Sequence, residues 1–463
     1  MRGRGLRLGL WLAELRATMT LALSIVAGLL CYIGQEIVDV MLAGHLDAHV
    51  LGAVAVGTSI WVLALMIALG MSYALSPAVA QLEGAMRRDA IGAVFRQALW
   101  LALLVGVALV AAVRWAGPEL VRLSGVAPSL QSDAAAFLRA ISYGAPALSL
   151  YLTCRGFSEG MSRPRPSMMF GLLGLLLLGP IGYVLMYGRL GLPMLGARGC
   201  GIATAIVTWL QLGAFATFLA RSRHYRGIGW SAGRRGPDVR VIAGLLRVGV
   251  PTTLSQLLEG SMFTAAALVI GGFGEAAAAG HQVAISVSAV SFMVPLGVGL
   301  ATTVRVGNAA GRGEPGAVRR AGFCGMALAI TLQAWSSALL LGAPMAIAGL
   351  YTRDAAVIAG AAALLPLAGV FQFSDALQVT AICALRGLKD TRVPVLITAF
   401  AYWAVGMPVG LWLAYRGGMQ APGMWFGLIA GLTVAAVLLC WRFARVTRPP
   451  AAPAAWLGQL GRG

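Results

Sequence analysis

Long apolar stretches, separated by short segments rich in arginine and glycine, run through almost the whole chain. A helix needs about 20 mostly apolar residues to cross a bilayer. Twelve stretches qualify, roughly 18–43, 50–76, 96–115, 133–154, 167–188, 200–220, 248–271, 280–303, 322–343, 357–385, 393–414 and 424–443. They predict an all-α integral membrane protein with twelve transmembrane helices. The opening MRGRGLRLGLWLAELR has the basic start of a signal peptide, but its apolar run is short and is broken by Glu14 and Arg16. No cleavage site precedes the first long span, so the segment reads as an uncleaved, surface-lying lead-in.

Basic residues fall unevenly between the spans. With the N-terminus placed inside, the inside segments carry 28 Lys and Arg and the outside segments carry 7. Cytoplasmic loops accumulate such residues, so both termini are expected in the cytoplasm of a multi-pass protein. The most basic segment, 221–247, lies at the midpoint. It divides the chain into an N-terminal six-helix lobe (1–220), this cytoplasmic linker, a C-terminal six-helix lobe (248–443) and a Pro/Ala-rich tail (444–463).

The two halves resemble each other. Leu69-Gly70 answers Leu296-Gly297 at an offset of 227, and the pairs Gly44/Gly271 and Gly84/Gly311 keep that offset. Arg155-Gly156 answers Arg386-Gly387 at 231, and Pro180-x-Gly182 answers Pro408-x-Gly410 at 228. Six spans per half is an even number, so the second half re-enters from the same side. The repeats are therefore parallel, an arrangement common in transporters whose site lies near the midplane.

Composition narrows the function. Of 463 residues, 59% are hydrophobic and 11% are charged, against about 25% charged in an ordinary soluble domain. The net charge of +19 follows from the loop asymmetry and calls for no nucleic-acid partner. The single lysine, Lys389, precedes Asp390, so the chain lacks the Gly-Lys-[Ser/Thr] of a Walker A loop. The six cysteines lie in apolar stretches without CxxC spacing and read as small buried hydrophobes.

Four acids fall inside apolar spans: Glu36 and Asp39 in the first, Glu259 in the seventh and Asp375 in the tenth. No Lys or Arg lies at comparable depth in the sequence. A charge at mid-membrane costs about 2.5–3.5 kcal/mol on insertion scales, so such residues usually face a cavity and function there. Unpaired carboxylates suit a cation: a proton, sodium or a positively charged substrate. Glu36 and Asp39, three apart, share a helix face. Tyr32, Phe263 and Phe371 each lie four residues from one of these acids, and a ring beside a carboxylate is a receptor for a lipophilic cation. His281, beside Gln282, reads as a helix-end hydrogen bonder, since no second His or Cys stands at metal spacing.

Several motifs resemble the multidrug and toxic compound extrusion (MATE) transporters, NorM-like branch. They are Val38-Asp39-Val40-Met41-Leu42-Ala43-Gly44-His45, Ala53–Trp61, Gly280-His281-Gln282-Val283-Ala284, and Phe292–Val298 followed by Arg305-Val306-Gly307. Phe371-Gln372-x-x-Asp375, Arg386-Gly387-x-Lys389-Asp390-Thr391 and Tyr402-Trp403 complete the set, and the resemblance runs from about residue 14 to 443. It implies two six-helix lobes forming a V around a central cavity, and export of organic cations in exchange for sodium ions or protons. The family's cation-site acids fall on Glu259, Asp375 and Asp39. The first two would also ligate sodium, if sodium is the coupling ion. Substrate-binding candidates are Asp39, Glu36, Tyr32, Ser59, Trp61, Phe263, Gln282 and Phe371. Phe371 stands where several relatives carry tyrosine, which puts a direct hydroxyl ligand there in doubt. Glu36 matches no signature acid.

The expected protein is a monomeric secondary antiporter of the bacterial inner membrane, with small organic cations and the lipid bilayer as partners and no cofactor beyond the coupling ion. The alternative is a lipid or lipid-linked oligosaccharide flippase of related architecture. Anionic head groups would call for interior bases, and the spans carry acids instead. An intramembrane enzyme would need a catalytic constellation such as HExxH, and none is present.

Overall fold

A computed structural model describes residues 2–123, 125–229 and 236–448, with side chains from residue 9 onward. Every regular element among the described residues is helical: α1 (Arg2–Leu46), α2 (Ala48–Ser72), α3 (Leu75–Gly84), α4 (Arg88–Leu123), α5 (Pro128–Ser142), α6 (Ala145–Gly160), α7 (Arg165–Tyr187) and α8 (Gly196–Arg221) in the first half. The second half holds α9 (Val239–Gly271), α10 (Glu275–Gly311), α11 (Pro315–Gly342), α12 (Pro344–Tyr351), α13 (Ala355–Gly387), α14 (Arg392–Ala399), α15 (Met407–Leu411) and α16 (Gln420–Val446). Two π-helical segments, Phe400–Gly406 and Trp412–Arg416, run on from α14 and α15 as one span, Arg392–Arg416, and α16 forms the last.

Among the described residues, eleven helical runs are long and apolar enough to cross a membrane. The twelfth expected span, 133–154, falls on α5 and α6, which are 15 and 16 residues long. The chain turns between them at Tyr143-Gly144. Pro146 has no N–H to give to the carbonyl four residues back, so the ladder opens where the helix would otherwise continue.

The doubling of the chain is visible in the helix boundaries. α2, α4, α5 and α7 begin at 48, 88, 128 and 165; α10, α11, α13 and α14 begin at 275, 315, 355 and 392, each 227 residues later. α13 is the unbroken counterpart of the α5–α6 pair, and both end in a glycine, Gly160 and Gly387. A Cβ on Gly160 would lie 2.8 Å from the Ser76 carbonyl oxygen and 2.8 Å from Val79 Cβ. On Gly387 it would lie 2.8 Å from the Thr303 oxygen and 3.0 Å from Val306 Cβ. Those neighbours are again 227 apart. The structural partner of Gly387 is thus Gly160, one helical turn from the Gly156 that the sequence match at 231 selects. The register slips to 228 at Pro180/Pro408, beyond the first π-helical segment, because a π turn inserts one residue into a helix.

The chain packs as two compact units, residues 27–253 and residues 1–26 with 254–463. These bounds differ from the division at 220 and 248 because α1 and α9 each begin in one unit and end in the other. The two crossing points are also 227 apart. Gly70 of α2 lies against Thr253 of α9, and Gly297 of α10 lies against Val26 of α1, the repeat-related contact. Small residues permit this approach where helices meet in lipid.

In unit 27–253, stacked rings of Phe95 and Phe157 (4.2 Å) and of Phe170 and Phe215 (4.7 Å) fill the core. The described parts of the basic segment 221–247 pack here. Gly92 N donates to Ile228 O at 2.7 Å, and the Gln97 amide bonds both Gly236 O and Asp238 N. Residues 230–235 of that segment, and 449–463 of the expected tail, lie outside the described residues.

In the other unit, α10 and α13 pack along their length, flanked by α11 and α16. Asp354 caps α13 by accepting from Ala356 N and Val357 N. The stretch read as a surface-lying lead-in is instead the start of α1. Arg305 grips Glu14 with two parallel bonds, 2.7 and 2.8 Å, a geometry suited to a guanidinium and a carboxylate.

Candidate functional site

The acid–ring spacings converge in unit 1–26/254–463. On α9, Phe263 follows Glu259 by one turn; on α13, Phe371 precedes Asp375 by one turn. The two rings meet edge to face, centroids 5.9 Å apart. Phe371 also packs edge-on to Trp425 of α16 at 5.7 Å, and Trp425 Nε1 donates to His281 Nδ1 at 3.2 Å. His281 is thus a hydrogen bonder buried by the aromatic cluster. Asp375 is only 5% exposed, and Glu259 is half-buried.

Neutral oxygens surround this acid pair. Tyr402, from the first π-helical segment, lies within electrostatic reach of both Glu259 and Asp375, and its hydroxyl accepts from Gln378 Nε2 at 2.8 Å. Asp375 Oδ1, Gln378 Oε1 and Gln256 Oε1 are buried without hydrogen-bond partners. Gln378 lies three residues after Asp375 and Gln256 three before Glu259, so each amide shares a face with its acid. Two carboxylates and unsatisfied amide oxygens form a donor set for a hard cation or a proton. Among the described residues, no group of three or more His, Cys, Asp and Glu is assembled.

The view that no base accompanies these acids needs correction. Arg386, buried on α13, lies within electrostatic reach of Glu259. A second buried base, Arg155, is paired with Glu159 at 2.7 Å in α6. Glu159 lies at a span end in the sequence and was therefore missed as a buried acid. The interior bases each stand with an acid, so they add no net positive patch.

In unit 27–253, Asp39 Oδ2 accepts from Thr204 Oγ1 of α8 at 3.0 Å, with Cys200 alongside, while Asp39 Oδ1 is buried without a partner. Glu36 is exposed on the same face, and Tyr32 lies beside it. At the 227 register, Tyr32 corresponds to Glu259 and Glu36 to Phe263. The first helix of each half therefore carries one ring and one acid four residues apart, in reversed order. The scaffold is duplicated; the charges are not.

The remaining candidates make other contacts. Trp61 is packed in the apolar core of its unit. Ser59 Oγ donates to Ala55 O at 3.0 Å, and Gln282 Nε2 to Ser286 Oγ at 3.4 Å, both on exposed positions. Thr204, Gln256 and Gln378 went unnoticed in the sequence, although each is a polar residue within an apolar span.

Comparison with known proteins agrees with this architecture. The MatE family model matches residues 24–184 and 251–412, two segments that start 227 residues apart. "Probable multidrug resistance protein NorM" of Xanthomonas campestris pv. campestris is 46% identical over 443 residues, covering 96% of each chain. "Multidrug resistance protein PmpM" of Pseudomonas aeruginosa is 42% identical over 449 residues, covering 96% of this chain and 94% of that one. The crystal structure of the eukaryotic MATE transporter AtDTX14 superposes with a TM-score of 0.84 at 21% identity, covering 95% of this chain and 99% of that one. A duplicated all-helical membrane scaffold, matched in both halves by the family model and over nearly its full length by these relatives, places this chain in the MATE family of transporters, on its NorM-like branch.

Proposed function

We propose that the protein exports organic cations across the bacterial inner membrane in exchange for sodium ions or protons, with both termini cytoplasmic. The observation that carries this reading is the acid pair Glu259 and Asp375. It lies within the membrane spans, Asp375 Oδ1 is buried without a hydrogen-bond partner, and unsatisfied amide oxygens stand on the same helix faces. Asp39, with one oxygen held by Thr204 and the other free, is the acid for the organic cation in the other unit. Phe263, Phe371 and Trp425 supply an apolar, aromatic wall beside the coupling acids.

The energetics permit such coupling. One elementary charge crossing the membrane carries about 2.3 kcal/mol per 100 mV, and each tenfold ion gradient adds about 1.4 kcal/mol. One or two ions therefore sustain a tenfold or larger drug gradient without ATP. The ion must bind one access state better than the other, since a ligand shifts a conformational equilibrium only by its differential affinity. The names of its relatives, which call them multidrug resistance proteins, fit this chemistry. The test is ethidium efflux from whole cells with sodium and pH gradients imposed separately. Efflux that follows one of the gradients supports antiport. Efflux indifferent to both, or dependent on ATP, refutes it.

A further inference from the structure

The polar side chains next to Asp375 form a chain that cation binding alone does not explain. Gln372 lies one turn before Asp375 on α13 and is 2% exposed. Gln333 of α11, 1% exposed, donates through Nε2 to Gln372 Oε1 at 2.6 Å and to Ser291 Oγ of α10 at 2.8 Å. Ser291 Oγ is in turn bonded to Ser336 Oγ at 2.5 Å. Four polar side chains from three helices are thus linked through the Gln333 amide.

The consequence lies in what this leaves over. Both N–H groups of the Gln333 amide are committed, and the Gln372 oxygen is pinned by one of them. Gln372 Nε2, with two N–H groups, has no hydrogen-bond partner, and neither has Asp375 Oδ1. A buried donor and a buried acceptor therefore stand three residues apart on one helix face, a spacing that a side-chain rotation or one bridging water spans. Hydrogen bonds to an ionised acceptor are about twice as strong as neutral ones, so the unpaired amide is matched to a charged carboxylate. The neighbouring Phe371 has no hydroxyl to take that role.

We infer that Gln333 and Gln372 are positioning residues that hold a donor amide ready for the cation-free Asp375 carboxylate, and so weaken and speed the release of the coupling cation. The inference rests on the reading of Asp375 as a coupling acid. When a cation occupies Asp375, the carboxylate charge is neutralised and the amide is not needed. When the cation leaves, the Gln372 N–H groups receive the charge. A group that stabilises only the empty state lowers cation affinity by the same factor. The titratable and charged groups that act on Asp375 are Glu259 of α9 and Tyr402 of the π-helical segment, with Arg386 of α13 acting through Glu259. The variants below leave all of these in place.

The experiment is gradient-driven ethidium export in proteoliposomes with Q372M and Q333M, each keeping chain length and losing the donor. The reading is the half-saturating concentration of the coupling cation, together with the rate at saturation. For Q372M the half-saturating concentration should fall about tenfold, equal to one pH unit if the cation is a proton, and the saturated rate should fall with slower release. Q333M should shift it in the same direction, and the double variant no further than Q372M alone, because the two act through one bond. If the glutamines only join helices, thermal stability changes and the cation midpoint does not; an unchanged midpoint in Q372M overturns the inference. Should a variant be inactive, infrared titration of the protonated-carboxyl band in purified protein, with and without sodium, reads the same midpoint without transport. D375N separates the two ideas. If it leaves coupling intact, the coupling assignment fails; if it abolishes coupling while Q372M moves nothing, the positioning role fails.

Discussion

Replacing Gly160 or Gly387 by alanine adds one methyl group to a doubled contact and should destabilise both halves alike. At Gly160 the new Cβ would stand 2.8 Å from a backbone oxygen and 2.8 Å from Val79 Cβ; at Gly387, 2.8 Å from a backbone oxygen and 3.0 Å from Val306 Cβ. A carbonyl fixed in a helix cannot swing aside, so the helices must part. Overpacking of this kind costs about 1–3 kcal/mol. Alanine recovers at most about 1 kcal/mol of helix propensity over glycine, and less at a helix's last residue. The net expectation is a loss of about 1–2 kcal/mol at each site. Gly213, inside α8 with nothing within 4 Å of its Cβ position, is the control, because propensity acts there alone. Thermal unfolding in detergent should place G160A and G387A below the wild type and G213A at or above it. Equal midpoints for all three would refute the close-contact reasoning and, with it, the structural register of the repeat.

Thr204→Val keeps the shape of the side chain and removes the donor to Asp39 Oδ2; a bond to a charged group contributes about 1.5–3 kcal/mol, so ethidium affinity should change at least several-fold, and an unchanged Kd would sever Asp39 from substrate binding. The Glu14–Arg305 pair is partly buried, its side chains 13% and 23% exposed; Arg305→Gln should lower the unfolding midpoint, and adding Glu14→Gln should restore part of the loss, since the stranded carboxylate carries much of the penalty. For orientation, Met86 and Leu190 are 84% and 87% exposed in turns at opposite ends of the spans, while the native cysteines are buried or half-buried. An impermeant thiol reagent applied to intact cells should label L190C and spare M86C, and the reverse pattern would invert the topology.

What the sequence discloses here depends on how costly each feature is to place in a membrane. Apolar length is set by bilayer thickness, so the spans stand out. The interruption at Tyr143-Gly144 does not, because α5 and α6 together still read as one apolar run and only the position of Pro146 hints at the turn. The one-residue slip to 228 is present in the Pro180/Pro408 match, but its cause, a π turn, belongs to backbone geometry. The 231 match between Gly156 and Gly387 misleads by one helical turn because glycines spaced along one face look alike in sequence; the carbonyls of Ser76 and Thr303 identify Gly160 instead.

The site divides in the same way. Glu259, Asp375 and Asp39 are conspicuous because a carboxylate in an apolar span needs a reason. Glu159 escapes because it lies near a span end, and Arg386 because its reach to Glu259 is tertiary. Gln256, Gln333 and Gln378 carry no charge and are cheap enough at depth to pass unnoticed. Their meaning comes from partners tens of residues away, such as Tyr402 for Gln378 and Ser291 for Gln333.

The central claim is that Glu259 and Asp375 hold the coupling cation. Its most direct test is uptake of ethidium against its gradient in proteoliposomes carrying E259Q or D375N, with a sodium or proton gradient imposed and ethidium binding measured on the same preparations. The account predicts that each variant binds ethidium and cannot concentrate it. Both variants concentrating ethidium at the wild-type rate would contradict it.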